Sequence, residues 1–212
     1  MVKKRLLIVG AGDFGRELES WLSLCPVNDR DWDLHGYLDS NPAALDGFQT
    51  DYKIVGDPFT YSFQENDLCA MSITDCVTKE KVFEAIKGKV KFLTFIAPTA
   101  IIGKFTSFGE GTLICPGCIV STNTRIGRLV IVNIGSQIGH DVEIGDYSSL
   151  MANIDIGGHV KIGEKTYIGT GATIIPKRVI AKNVRIGAGS VVLHNIKENL
   201  SVFGNPAGKI SY

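Results

Sequence analysis

From Ile102 to Val192 a single apolar residue returns at every sixth position: Ile102, Phe108, Ile114, Val120, Ile126, Val132, Ile138, Ile144, Leu150, Ile156, Ile162, Ile168, Ile174, Ile180, Ile186 and Val192. A helix repeats its apolar face about every 3.6 residues and a half-buried strand every second residue, so neither period leaves this trace. A hexapeptide period is the mark of a parallel β-helix. The position two residues before each aliphatic is small or β-branched, as in Thr106, Thr112, Cys118 and Ser136, with Arg178 as the exception. That suits a side chain pointing the same way along a strand into less space. Gly follows the aliphatic at 103, 109, 127, 139, 145, 157, 163, 169 and 187. We read it there as the residue that turns the corner between flat faces. Three units make one triangular coil, and each coil buries its column against its neighbours. Sixteen units predict about five coils at ~4.8 Å spacing, a prism roughly 25 Å long.

The pattern upstream is different. Residues 5–9 read as a buried parallel strand, followed by Gly10-Ala11-Gly12-Asp13-Phe14-Gly15 and a helix over 16–24. Strands are predicted at 33–38, 53–55, 68–73 and 90–96, with a helix over 78–87. Ala97-Pro98-Thr99 then breaks the pattern. The chain divides accordingly into an α/β domain over 1–96, half of a Rossmann-like fold, and a β-helix over 97–212. A full dinucleotide fold needs two βαβαβ halves, so a nucleotide or nucleotide sugar fits the first domain and a working NAD dehydrogenase does not. At the far end, Gly204-Asn205-Pro206-Ala207 forms a rigid turn expected to cap the prism.

Composition narrows the functional classes. The 212 residues carry 22 basic and 22 acidic side chains, a balance that leaves no footprint for nucleic acid or an anionic membrane. No apolar run is long enough to span a bilayer. The apolar stretch at 6–10 runs at once into Asp13, Arg16 and Glu17, as a buried first strand would and a signal peptide would not. Five cysteines without framework spacing fit reduced thiols in the cytoplasm.

Chemistry concentrates at two places. The glycine-rich turn lies between a strand and a helix, where backbone can approach a phosphate and the helix N-terminus favours its charge. A tight turn with nothing bound is the alternative. Asp39 follows the second strand near the distance at which such folds place a carboxylate on a ribose hydroxyl, although an acidic turn residue before Asn41-Pro42 reads the same. On the prism, His140 lies two residues past an inward aliphatic, on an outward-facing part of a coil beside Asp141, with Asn133 near another corner. Imidazole is the natural general base at neutral pH, and a plain surface histidine is the alternative. His194 lies three coils beyond His140, about 14 Å along the axis and too far for a dyad. His140, His159 and His194 are 19 and 35 residues apart, unlike a close metal-binding pair with a third upstream, so no metal site is expected. Cys115 and Cys118 occupy ordinary repeat positions and read as structural.

Gly10 to Gly15 before a helix, Asp39, the uninterrupted array, Gly139-His140-Asp141 and Gly204-Asn205-Pro206-Ala207 together cover almost the whole chain. In these features it resembles the bacterial nucleotide-sugar N-acetyltransferases grouped with sialic-acid O-acetyltransferases, hexapeptide-repeat acyltransferases of the left-handed β-helix class. The resemblance implies left-handed coils, a homotrimer with active sites between subunits, and transfer of acetyl from acetyl-CoA to the amine of a nucleotide-linked 4-amino-4,6-dideoxysugar for surface-glycan biosynthesis. It implies His140 as general base, Asp141 as its acidic neighbour and Asn133 orienting the imidazole across the interface. Gly12, Asp13, Phe14, Asp39, Ser40 and Thr74 would meet the nucleotide sugar. Ser149, Gly158, Thr170 and Ala188 would line the CoA groove, with the Gly158 amide on the oxyanion. Two positions depart from the family's usual pattern: Thr74 stands where a Gly is common, and Ala97 where a His is common before Pro. O-acetylation of a sialic-acid-type sugar and a non-catalytic nucleotide-sugar-binding scaffold are the competing readings.

Overall fold

A computed structural model describes residues 3–210. The chain forms two compact units that divide between Leu93 and Thr94. The N-terminal unit runs β1 (Lys4–Val9), α1 (Asp13–Leu22), a 3-10 turn (Val27–Asp29), β2 (Trp32–Leu38), β3 (Ile54–Gly56), β4 (Asp67–Met71), α2 (Cys76–Ile86) and β5 (Lys91–Phe92). The five strands are all parallel, in the order β3-β2-β1-β4-β5. β4 is buried along its whole length and β1 over its last four residues, which explains their unbroken apolar runs. α1 seats Phe14, Gly15, Leu18 and Leu22 inward, one helical face. The chain leaves β1 on one side for β2 and returns on the other for β4. Such a crossover opens a crevice at the carboxyl ends of β1 and β4, where open α/β sheets bind ligands. The connection after β2 is tied to α1, since Thr50 Oγ1 donates to Glu19 Oε2 at 2.6 Å and the Arg16 guanidinium lies 3.6 Å over the Phe48 ring.

The strand expected over 90–96 is two strands with different partners. β5 closes the first sheet, whereas Phe95–Ile96 pairs with Leu113–Ile114 of the prism. The hexapeptide column therefore begins at Ile96, one unit before Ile102.

The second unit is a solenoid of two-residue strands on three parallel faces. Each strand pairs with those eighteen residues before and after it, as Ile119 does with Ile101 and Gln137. The aliphatic columns point inward, and from Ile114 to Val192 every member is buried. The small column two residues earlier has a polar task beyond fitting a narrow space. Thr124 Oγ1 donates to Gly139 O (3.2 Å), Ser136 Oγ to Met151 O (3.1 Å) and Ser148 Oγ to Gly163 O (3.2 Å), each fifteen residues on in the next coil. Even the exception obeys the rule: Arg178 Nη1 donates to Leu193 O at 3.4 Å.

The glycines that follow the aliphatics do not turn the corners. None of them has positive φ; that conformation falls two residues later, at Asn123 (57°), Asp141 (58°), His159 (61°) and Lys177 (64°) on one corner, and at Gly117, Gly135, Gly171 and Gly189 on another. The first set is glycine because the coils stack too closely for a Cβ. One built on Gly145 would lie 2.7 Å from the Gly163 carbonyl carbon and 2.8 Å from Glu164 Cα.

The strand Ser201–Phe203 extends one face and pairs antiparallel with the last strand, Gly208–Lys209, across the turn at 204–207. An antiparallel partner ends the parallel stacking at that edge. All five cysteines are free, and four are buried. Burial pushes the Cys118 thiol up to about 11, in keeping with a structural role. Among the described residues no helix is long and apolar enough to cross a membrane.

This stacking makes a stability test. Gly145→Ala should destabilise the β-helix by about 1–3 kcal/mol, as overpacking against backbone does. Lys177→Asn, which places a residue tolerant of positive φ on the same corner, should hold or raise the thermal midpoint. Equal midpoints for Gly145→Ala and the parent chain would contradict the close stacking.

Candidate active site

The corner that carries the positive-φ residues Asn123, Asp141 and His159 gathers the only histidine pair found within one coil spacing among the described residues. Residues eighteen apart stack directly, so His140 lies between Thr122 and Gly158, and Asp141 between Asn123 and His159. The Asp141 N–H donates to Thr122 O (3.1 Å) and the His159 N–H to His140 O (2.9 Å), which fixes the register. His140 Nδ1 lies 2.7 Å from Asp141 Oδ2, a hydrogen bond that holds the ring and assigns its proton to Nδ1. His159 Nε2 is 3.8 Å from the same oxygen, and the two imidazoles meet edge to face with centroids 4.9 Å apart.

The His140 hydrogen bond holds the Asp141 carboxyl below the ordinary aspartate value. Desolvation opposes it to a lesser degree, and the Asn123 side chain and the nearby His159 add smaller lowering effects. Both histidine side chains are about half exposed, 54% and 53%. Gly158 makes room for the base: a Cβ there would sit 2.6 Å from His140 Nε2 and 2.7 Å from Cε1.

Other expected site residues are dispersed. Asn133 stands at a different corner, beyond the strand Gln137–Ile138 from His140, and its Oδ1 accepts from its neighbour Ile134 N–H at 2.7 Å. Within one chain it does not meet the imidazole. Ser149 is fully buried and offers no surface to a ligand. Thr170 and Ala188 stack eighteen residues apart on the Asn133 side, and only Gly158 of the expected CoA set adjoins His140. The wide gap between His140 and His159 was misleading as a linear spacing. Nineteen is one coil plus one residue, and the same arithmetic that put His194 in the His140 column would have found His159 and Asn123.

In the N-terminal unit the glycine-rich turn has three distinct glycines. Gly10 has φ of 103°. Gly15 packs against the Gly10 carbonyl, so close that a Cβ would overlap it, and only glycine lets α1 lie this near β1. A Cβ on Gly12, by contrast, would meet nothing within 4 Å. Gly12 caps α1, and Asp13 beside it pairs with Arg16 at 2.6 Å. Phe14 is buried and packs edge to face on Trp21, so its ring serves the core rather than a ligand. Asp39 Oδ2 accepts from the Ala11 N–H and Oδ1 from the Asn41 N–H, both at 2.8 Å, so this carboxylate pins the turn itself. Ser40 Oγ donates to Asp57 Oδ1 at 3.1 Å. Thr74 lies in the loop after β4, next to the Asp75 cap of α2. Ser72, which the sequence did not single out, is buried and donates to the Val9 and Gly10 carbonyls at 2.8 and 2.7 Å.

Fold and repeat together define a left-handed β-helix protein of the hexapeptide class, preceded by a parallel α/β unit. Residues 5–86 match the PglD N-terminal domain and residues 159–194 the bacterial transferase hexapeptide (six repeats). It is similar to the acetyltransferase domain of PglB from Neisseria gonorrhoeae FA1090, at 22% identity over 98% of this chain and 100% of that chain, with a TM-score of 0.87. That domain has also been solved in complex with acetyl coenzyme A. PerB from Caulobacter crescentus, solved with CoA and GDP-perosamine, is similar at 24% identity over 97% of each chain, TM-score 0.79. WeeI from Acinetobacter baumannii AYE matches at 23% identity over 97% of this chain and 99% of that one, TM-score 0.70. A search of curated proteins found no match.

The lowered Asp141 value sets a pH dependence. A carboxyl whose folded pKa is depressed adds stability that is present above the unfolded value, about 3.9, and is lost as pH falls through the lower folded value. An NMR titration should place the Asp141 midpoint below that reference, and in His140→Ala the midpoint should climb back toward it. An unmoved midpoint would deny the hydrogen bond its role.

Proposed function

We propose that the protein transfers acetyl from acetyl-CoA to the 4-amino group of a nucleotide-linked 4-amino-4,6-dideoxysugar, with His140 as general base. The observation that carries this reading is the hydrogen bond from His140 Nδ1 to Asp141, which leaves the Nε2 lone pair free beside a glycine. The ligands bound in the solved relatives support the substrate classes: acetyl coenzyme A in the PglB acetyltransferase domain, CoA and GDP-perosamine in PerB.

In the reaction, the sugar amine attacks the thioester carbonyl and a C–N bond forms. Nε2 takes the amine proton, a contribution of about 10²–10⁴ in rate. Asp141 holds the ring and stabilises the imidazolium. The Gly158 amide faces the developing oxyanion, with bare backbone beside the base. Collapse breaks the C–S bond, and the imidazolium returns its proton to the departing CoA thiolate. No acyl-enzyme is needed. Ser149, Thr170 and Ala188 are the remaining candidates for the CoA site. The burial of Ser149 weakens its candidacy.

The acceptor's nucleotide is assigned to the turn at Gly12, Asp13 and Phe14, with Asp39, Ser40 and Thr74. Gly12 carries the most weight here, because the fold itself leaves room for a side chain there. A phosphate against backbone and the N-terminus of α1 accounts for its absence. We assign the active form to a homotrimer, in which Asn133 would act on the imidazole of a neighbouring subunit. Ile101 (64% exposed), Phe105 (82%) and Ile119 (42%) support this, as large apolar side chains left open on the prism. The cytoplasm, where acetyl-CoA is at hand, is the compartment this reading requires.

Thiol release from acetyl-CoA with UDP-, dTDP- and GDP-linked 4-amino-4,6-dideoxysugars should be rapid with one of them. His140→Ala should lower turnover by about 10²–10⁴ without changing the oligomer. Gly12→Ala should keep the thermal midpoint and raise KM for the nucleotide sugar while leaving KM for acetyl-CoA unchanged. Silence with all three sugars and acetylation of sialic acid would move the activity to O-transfer.

A further inference from the structure

The corner that carries His140 holds more than a base and its partner. His140, Asp141 and His159 each offer one ligand atom, and these atoms all lie within 4.8 Å of one another. We propose that this trio is a binding site for a divalent transition-metal ion of the zinc type, and that occupancy switches the base off.

Three observations carry it. First, the donors converge: His140 Nδ1 and His159 Nε2 both face Asp141 Oδ2, at 2.7 and 3.8 Å. A tetrahedral ion with bonds of about 2.0–2.2 Å sets its donors roughly 3.3 Å apart, between the two observed spacings. Second, the backbone beneath them is fixed while the side chains can adjust. Asp141 and His159 occupy the same positive-φ position in successive coils, joined through the 2.9 Å bond from the His159 N–H to His140 O. Both imidazoles are about half exposed and can rotate by the small amount needed, with a coordination position left open to water. Third, a further partner is in place. The Asn123 side chain, one coil earlier, hydrogen-bonds the Asp141 carboxylate, as the supporting residues of metal-bound carboxylates do. Two imidazoles and one carboxylate favour zinc, copper, nickel or cobalt over magnesium and calcium, which take all-oxygen shells.

The consequence follows from the ring's tautomer. Binding at Nδ1 needs the lone pair there, so the ring proton moves from Nδ1 to Nε2. The Nε2–H can no longer accept a proton from an amine. No net proton is released by that shift, and no redox step is involved. The binding claim stands on the geometry alone, whereas the inhibitory consequence rests on His140 being the base.

The test uses the full-length protein freed of metal with a chelator. Co²⁺, followed by its visible d–d absorption, and Zn²⁺, followed by calorimetry, should each bind at one ion per chain, and Mg²⁺ should not. His159→Asn should weaken Zn²⁺ binding by at least about tenfold, whereas His194→Asn, three coils along the same column, should leave it unchanged. Asn is the conservative choice because Asn123 already tolerates this backbone conformation two coils away; circular dichroism and the thermal midpoint establish that the variant is folded. With an acceptor that supports turnover, Zn²⁺ should inhibit the parent enzyme, chelator should reverse it, and whatever rate His159→Asn retains should resist the ion. No binding by the parent chain, or equal binding by His159→Asn, would overturn the site. Binding without inhibition would keep the site and count against His140 as the base.

Discussion

The constraint on which the prism depends is the eighteen-residue register of the backbone hydrogen bonds between coils. Each two-residue strand is far too short to persist alone, and it gains its stability from identical strands above and below. That register decides which residues can be large. Gly145 and its equivalents face the backbone of the next coil and have no room for a Cβ, whereas the aliphatic just before each of them points into the interior. It also decides where buried hydroxyls are acceptable. Thr124, Ser136 and Ser148 are fully buried, and each donates to a backbone carbonyl instead of leaving its donor unmet, Ser136 and Ser148 to one in the next coil and Thr124 shared between Ser121 O and Gly139 O.

The candidate active site is a by-product of the same register. The corner position with positive φ is filled by glycine at Gly135 and Gly171 but by Asp141 and His159 at the corner beside the base. Non-glycine residues in this region carry a conformational cost, and Asn and Asp bear it best. At this corner the cost places a carboxylate and a second imidazole against His140. Gly158 completes the arrangement from the opposite direction, by having no side chain where the His140 ring must lie. Orientation and access at one imidazole are thus set by its neighbour Asp141 and by Gly158 one coil after it.

The N-terminal unit shows a different economy. Several residues with the right chemistry to touch a nucleotide are occupied in shaping the turn that would receive it. Asp39 holds two backbone amides, Ser72 holds two carbonyls, and Phe14 is packed against Trp21. What remains open is backbone, above all at Gly12 and the first turn of α1. Backbone donors at a helix start are suited to phosphate, and their placement is rigid because the side chains around them are already committed.

Much of this was legible in the chain itself, because the β-helix is periodic and a period survives in one dimension. The column from Ile102 to Val192, the three-unit coil, the capping turn at 204–207 and the strand–turn–helix at residues 5–24 follow from spacing and residue type alone. So did His140 beside Asp141, since adjacency along the chain needs no folding to be seen. The tertiary structure decided what lies one coil away. It brought His159 and Asn123 to Asp141, set Gly158 under His140, moved Asn133 to another corner and buried Ser149. It also reassigned the glycines from turning to close stacking, and the residues after 93 from sheet to prism. The physical reason is the same in each case: the contacts between coils join residues fifteen to nineteen positions apart, and only the stacked register says which of them meet.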